Sequence, residues 1–255
     1  MENKLYYNST NNIKLCGLLS RINDSDKIVV LCHGLNGNKT ERKSFDKLKD
    51  ELSDNNYNSF RFDFRGHGES SGNDYEMTIK GEIEDLESTL KMLRGKGYNE
   101  FVLLGASFGG SIISLLNYTN YSIKALVCWY SALDYQGTSV NLFSAENKKI
   151  AIEKGYYTII SPNSKREFKL GKNLFEEIDK IVPYKKLIET DLPILFVHGT
   201  GDSMIPHTLS EKVSALSKNS KLILVENAEH CFSDSEESLI EASKETINFI
   251  KSLNW

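Results

Sequence analysis

No apolar run in this 255-residue sequence approaches the roughly 18 residues of a membrane-spanning helix, so no helical span is expected. No two cysteines stand at C-x-x-C spacing. The four present, Cys16, Cys32, Cys128 and Cys231, are scattered, which leaves zinc and thioredoxin-like redox readings without support. Cys32 and Cys128 lie inside apolar runs and read as small core residues. The net charge of -4 is not gathered into blocks. Without a basic stripe a nucleic-acid partner is not expected, and without an acidic tail neither is a disordered segment of this chain. There is no internal repeat and no low-complexity segment. The opening stretch, MENKLYYNSTNN, is polar and lacks the basic-then-apolar layout of a signal peptide, so a cytoplasmic protein is the expectation.

What is present is a core. Apolar residues make up 40% of the chain, enough for a sizeable globular interior. Short unalternating runs read as strands buried on both faces: Lys27–Leu31, Ser59–Phe64, Phe101–Leu104, Ile123–Trp129, Pro193–Val197 and Lys221–Val225. Helical periods fall between them. Ile79, Ile83, Leu86, Leu90 and Leu93 form one apolar face. Phe45, Leu48 and Leu52 do the same over residues 39–53, and Leu209, Val213 and Leu216 repeat it after Pro206 and His207. The last helix carries Leu239, Ile240, Ile247, Ile250 and Leu253, with Ser233-x-x-Glu236 as its expected capping box. The alternation predicts an α/β protein with a doubly wound, mostly parallel sheet. The first 22 residues, with IKLCGLL, are expected to add an antiparallel edge pair. We expect one domain over 1–255. Residues 131–190 break the alternation and are expected to form a cap inserted over one end of the sheet.

Two G-x-S-x-G patterns occur, at Gly105-x-Ser107-x-Gly109 and Gly68-x-Ser70-x-Gly72. A serine-nucleophile elbow needs a buried strand before it and a helix after it, so that the hydroxyl stands on a tight, strained turn. Ser107 has both, between FVLL and GGSIISLLNY. Ser70 has neither, because RGHGE precedes it and the turn cluster SGND follows. Ser107 is therefore the candidate nucleophile.

A serine hydroxyl needs a base. Of five histidines, only His230, in NAEHCF, follows the last strand in the order serine, acid, histidine. The other four read as structural or solvent-exposed. The acid that orients the imidazole is expected to be Asp202, in the loop after PILFV; its rival Asp234 reads as part of the last helix's cap. An imidazole must be neutral to act as base, so activity is expected to fall on the acid side. Oxyanion donors are expected from the backbone N–H groups of Phe108 and of Leu35, the latter in the Gly-rich loop His33-Gly-Leu-Asn-Gly37.

Together LCHGLNGN, RFDFRGHGESSG, LLGASFGGSI, HGTGDSMIP and NAEHCF resemble the alpha/beta-hydrolase superfamily over nearly the whole chain. The chain is similar to small bacterial esterases of the cinnamoyl/feruloyl type and to serine aminopeptidase-like and monoacylglycerol-lipase-like hydrolases. The resemblance implies an eight-stranded sheet, and it implies catalytic roles for Ser107, Asp202 and His230 with Leu35 and Phe108 at the oxyanion hole. Leu35 and Phe108 replace the Phe and Gln of the feruloyl-type enzymes, which removes groups that could stack on or hydrogen-bond an aromatic acid.

The reaction expected is two-step acyl transfer from a small-molecule ester, without metal or cofactor. Amide, peptide or thioester hydrolysis would use the same residues, and a binding protein that has kept the fold without the chemistry is the remaining reading. In the cap, Phe143, Tyr156, Tyr157 and Phe168 either wall an apolar pocket beside Trp129 or make up the cap's own core.

Overall fold

The computed structural model describes residues 2–138, 142–160, 167–232, 235–253 and 255. Its centre is an eight-stranded sheet in the order β1-β2-β4-β3-β5-β6-β9-β10. These are β1 (Glu2–Asn8), β2 (Lys14–Ser20), β3 (Lys27–Cys32), β4 (Ser59–Asp63), β5 (Glu100–Ala106), β6 (Ser122–Trp129), β9 (Ile194–Gly199) and β10 (Ser220–Val225). The first two pair antiparallel, and β2 runs antiparallel to β4. Every later pairing is parallel.

The unbroken apolar runs follow from this arrangement. A strand with helices on both faces must bury every residue, and successive side chains go to opposite sides. Along β5, Phe101 and Leu103 enter one core and Val102, Leu104 and Ala106 the other. On the second face lie α1 (Ser44–Asp54) and α8 (Glu236–Ser252), which contribute Phe45, Leu48, Ile247 and Ile250. On the first lie α2 (Ile79–Gly95), α3 (Phe108–Leu115) and α7 (His207–Leu216). The α2 helix starts where its sequence says it should, because the Thr78 side chain accepts the N–H of Gly81 at 2.9 Å. Each buried Leu or Phe on these faces contributes about 1.5–3 kcal/mol over an exposed one.

Two helix starts differ from expectation. The helix expected from residue 39 begins at Ser44, because Glu41, Arg42 and Lys43 take φ of +39°, +53° and +75°. Lys39 is held outside it, its N–H and ammonium both bound to Asp63 at 2.7 Å. At α8 the capping side chain is Ser235, which accepts the N–H of Ser238 at 3.0 Å. The Ser233 of the expected box and the rival acid Asp234 lie outside the described residues.

Between β6 and β9 the chain makes α4 (Ala145–Lys154), an antiparallel pair β7 (Tyr156–Ile160) and β8 (Glu167–Gly171), α5 (Lys172–Ile178) and α6 (Tyr184–Glu189). Phe168, Leu170, Leu174 and Phe175 from this stretch pack into the first core. Residues 139–141 and 161–166 of the expected cap lie outside the described residues.

Candidate active site

Ser107 stands between the last residue of β5 and the first of α3, with φ +53° and ψ -117°. An L-residue there is strained, and the surroundings hold it. Its N–H donates to Trp129 O at 2.9 Å, and its carbonyl accepts from Gly110 N at 3.1 Å and Ala132 N at 3.0 Å. The motif glycines are required by close approach. A Cβ on Gly105 would lie 2.4 Å from Gly109 O, and one on Gly109 would lie 2.2 Å from Cys32 O. Phe108 opens α3, so its N–H has no acceptor within the helix.

The other matching serine is committed elsewhere. Ser70 Oγ donates to Asp63 O at 2.6 Å and accepts from Cys16 N at 2.9 Å, tying the turn after β4 to the antiparallel edge.

The loop after β3 runs beside the nucleophile: a Cβ on Gly34 would lie 2.9 Å from Ser107 Cβ. His33 shapes this loop. Its Nε2 accepts the N–H of Phe64 at 3.0 Å, which leaves Nδ1 to donate to Gly34 O at 2.8 Å. Burial pushes its pKa down to about 4, so the ring is neutral and serves the backbone.

His230 and Asp202 come together from the loops after β10 and β9. His230 Nδ1 lies 2.8 Å from Asp202 Oδ2. Tyr130 packs edge-on against the imidazole with ring centroids 4.9 Å apart. Asp202 Oδ1 accepts the N–H groups of Met204 at 2.9 Å and Ile205 at 2.8 Å. A second histidine also reaches this acid: His198 Nε2 is 3.2 Å from Oδ2 and 3.0 Å from Ile205 O, while Ser210 Oγ holds its Nδ1 at 2.7 Å. Burial alone would raise the Asp202 carboxyl. The hydrogen bonds from His198 and His230 outweigh it and hold the carboxyl well below the usual range. The sequence signal for this second contact is the spacing HGTGD, which puts His198 at the strand end facing its own loop.

Ser107 and His230 open onto one pocket of about 270 Å³. Leu35, Phe108, Leu142, Phe143, Ile159 and Ile160 give it an apolar lining. Of the aromatics proposed for it, Phe143 is there and the others are not. Trp129 alternates to the opposite face of the sheet, where its indole N–H donates to Thr246 Oγ1 at 2.9 Å. Phe168 is buried against the His67 ring, centroids 5.0 Å apart. Tyr156 lies near Tyr75 and under the Lys169 ammonium, and Tyr157 packs on the first core. Sequence reasoning missed Glu41, a buried carboxyl that lines the pocket and accepts the N–H of Gly34 at 3.1 Å. Its pKa is pushed up to about 7 by burial, against the lowering effects of Gly34 N–H and Arg42. A single glutamate beside lysines and an arginine carries no signal of this.

The strand order, with helices on both faces of a mostly parallel sheet, is that of an alpha/beta hydrolase. Residues 23–156 match the family described as serine aminopeptidase, S33, and the chain belongs to that family. The chain is 28% identical over 232 residues to the uncharacterized protein YfhR of Escherichia coli O157:H7, covering 88% of this chain and 70% of that one. It is 26% identical over 174 residues to the mitochondrial palmitoyl-protein thioesterase ABHD10 of Homo sapiens, covering 67% of this chain. The chain thus spans only 56% of the thioesterase's own length. Est1E from Butyrivibrio proteoclasticus, solved with ferulic acid bound, has the same fold, with a TM-score of 0.76 at 21% identity over 97% of this chain and 99% of that one. No helix among the described residues is long and apolar enough to cross a membrane.

Proposed function

We propose that this hydrolase cleaves small to medium carboxylic esters through an acyl-enzyme on Ser107. The observation that carries the reading is the 2.8 Å His230–Asp202 hydrogen bond, at a pocket shared with a serine held at φ +53°. Ser107 Oγ attacks the ester carbonyl while His230 Nε2 takes its proton and passes it to the leaving alcohol. Asp202, bonded to Nδ1, orients the ring and stabilises its charged form. Water then attacks the acyl-enzyme by the same route. The N–H groups of Leu35 and Phe108 receive the oxyanion, and loss of one such donor costs about 2.7–4 kcal/mol. The segment 131–190 acts as a cap, with Phe143 and Ile159 supplying apolar wall for the acyl chain.

A thioester is the second reading, favoured by the similarity to ABHD10 and by the same apolar wall. The family's description raises an aminoacyl amide as a third. One experiment separates them. A fluorophosphonate probe should label Ser107, and Ser107→Ala should lose both label and turnover of p-nitrophenyl butyrate. Label at another serine, or undiminished turnover in the variant, would sink the assignment. An acyl thioester or an aminoacyl anilide cleaved faster than the ester would move the substrate class.

A further inference from the structure

The pocket holds a carboxyl group that the reaction above leaves idle. Glu41 is 3% exposed and lines the same cavity as Ser107 and His230. Its Oε2 accepts the Gly34 N–H at 3.1 Å. The Gly34 Cα stands between the two groups: a Cβ there would lie 2.9 Å from Ser107 Cβ and 3.2 Å from Glu41 Oε1. The carboxyl therefore sits one residue's width from the nucleophile, behind the loop that carries the Leu35 N–H. The chain strains to put it there. Glu41, Arg42 and Lys43 are successive non-glycine residues with positive φ, and each such residue costs on the order of 1 kcal/mol or more. Ser44 Oγ holds the Glu41 carbonyl at 2.5 Å, and Arg42 Nη1 reaches Cys231 Sγ at 3.4 Å.

We propose that Glu41 is a positioning residue that sets the charge behind the oxyanion loop. Protonated, it holds Gly34 in place without opposing the negative charge that gathers on the substrate oxygen; ionised, it repels that charge. The proposal rests on the acyl-transfer reading of Ser107. Its environment makes the switch specific. Lys39, on the preceding loop, is bound to Asp63 and Glu69. His33, at the end of β3, is neutral because burial holds it near 4. Burial pushes up both Tyr130, at the end of β6, and Cys231, the latter to about 12, so neither changes charge near neutrality. Arg42, on the same turn, directs its guanidinium to Cys231 Sγ at 3.4 Å. His230, beside Cys231, is bound through Nδ1 to Asp202 Oδ2 at 2.8 Å. Burial pushes Glu41 itself up to about 7, which puts its ionisation within the working range.

The test is the pH profile of kcat/KM for p-nitrophenyl butyrate, with spontaneous hydrolysis subtracted. Wild type should fall roughly tenfold or more as pH rises through neutrality, the size expected for a like charge several ångströms away at an effective dielectric of about 20. Glu41→Gln keeps an acceptor for Gly34 N–H and carries no charge, so its profile should stay level on the alkaline side. A merely structural role would lower the whole curve and leave its shape. If Glu41→Gln does not fold, Glu41→Asp, whose carboxylate is withdrawn by one methylene, must displace the alkaline limb. An alkaline fall retained in Glu41→Gln, an Asp profile superimposing on wild type, or a wild type with no fall would each overturn the proposal. Fluorophosphonate labelling of each protein separates the layers. A labelled Ser107 with an unmoved profile sinks this inference alone, and an unlabelled Ser107 sinks the acyl-transfer reading with it.

Discussion

Replacing Ser107 by glycine and by alanine should give two inactive proteins of unequal stability. Both substitutions remove Oγ, so the chemistry is lost equally and only the backbone distinguishes them. At φ +53° and ψ -117° an alanine keeps the clash between Cβ and the main chain, and a glycine does not. Strain at such positions is about 1–3 kcal/mol. Against this, glycine gives the unfolded chain more freedom, a cost of about 0.5–1 kcal/mol. The three backbone hydrogen bonds that hold the elbow, through Trp129 O, Gly110 N and Ala132 N, do not involve the side chain and survive in both. The net expectation is that Ser107→Gly is the more stable by about 1 kcal/mol, or about 2–4 °C in Tm for a domain of this size. Paired thermal and urea unfolding would measure it. Equal stability, or a less stable glycine variant, would show that the elbow relaxes when the hydroxyl is gone and that strain there is not stored in the fold.

Asp202→Asn should leave the loop hydrogen bonds from Met204 and Ile205 in place yet lower kcat on the order of 10⁴-fold, because the imidazole loses the partner that fixes its tautomer. Steady-state kinetics would show it as a fall in kcat with KM little changed. The same carboxyl has a depressed folded-state pKa, so its stabilisation is present above about pH 4 and fades as pH falls below that; acid unfolding of Asp202→Asn should lack this component. Gly109→Ala should destabilise by at least about 1–3 kcal/mol, since its Cβ would meet the carbonyl oxygens of Cys32 and His33 at 2.2 and 2.5 Å and neither can swing away. An unchanged urea midpoint would refute that. Glu41 keeps its proton in the folded state to about pH 7, against the ordinary 4.5 of the unfolded chain. Folding takes up a proton in that window, so this group's stabilisation falls as pH rises across it, by at most about 3 kcal/mol, and Glu41→Gln should make the slope shallower by that component while the raised Glu82 keeps its own.

The strands and α2 were legible because a sheet covered on both faces demands unbroken apolar runs and a helix on one face demands a 3.6-residue period. The elbow was legible because it needs a strand, small residues and a helix in fixed order. Chain order and loop position singled out Asp202 and His230 as candidates, and the fold brings the two side chains within 2.8 Å. Other features depend on contacts that no local pattern encodes. The start of α1 is set by Lys39 binding Asp63 across the sheet end, and by Arg42 reaching Cys231. Trp129 shows the same limit. Whether it faces the pocket or α8 is decided by the pleat of β6, where Cys128 joins one core and Trp129 the other. Its aromatic character says nothing about the side chosen. Glu41 was invisible because its burial arises from a left-handed turn that glutamate, arginine and lysine do not favour.

The two halves of the site have unequal mechanical support. Ser107 follows β5, which has β3 on one side and β6 on the other, whereas His230 follows β10, the last strand of the sheet and only partly buried. The loops bearing acid and histidine are fastened to each other, Gly201 N–H to Ala228 O at 3.1 Å and Asn227 N–H to Thr200 Oγ1 at 2.7 Å. Edge elements open at lower free energy than the centre of a sheet. On warming, fraying at this margin would loosen the His230 loop first, while Ser107 and the Asp202 loop after the buried β9 stayed formed. Heat would then silence the enzyme before it melts, and cooling would restore it.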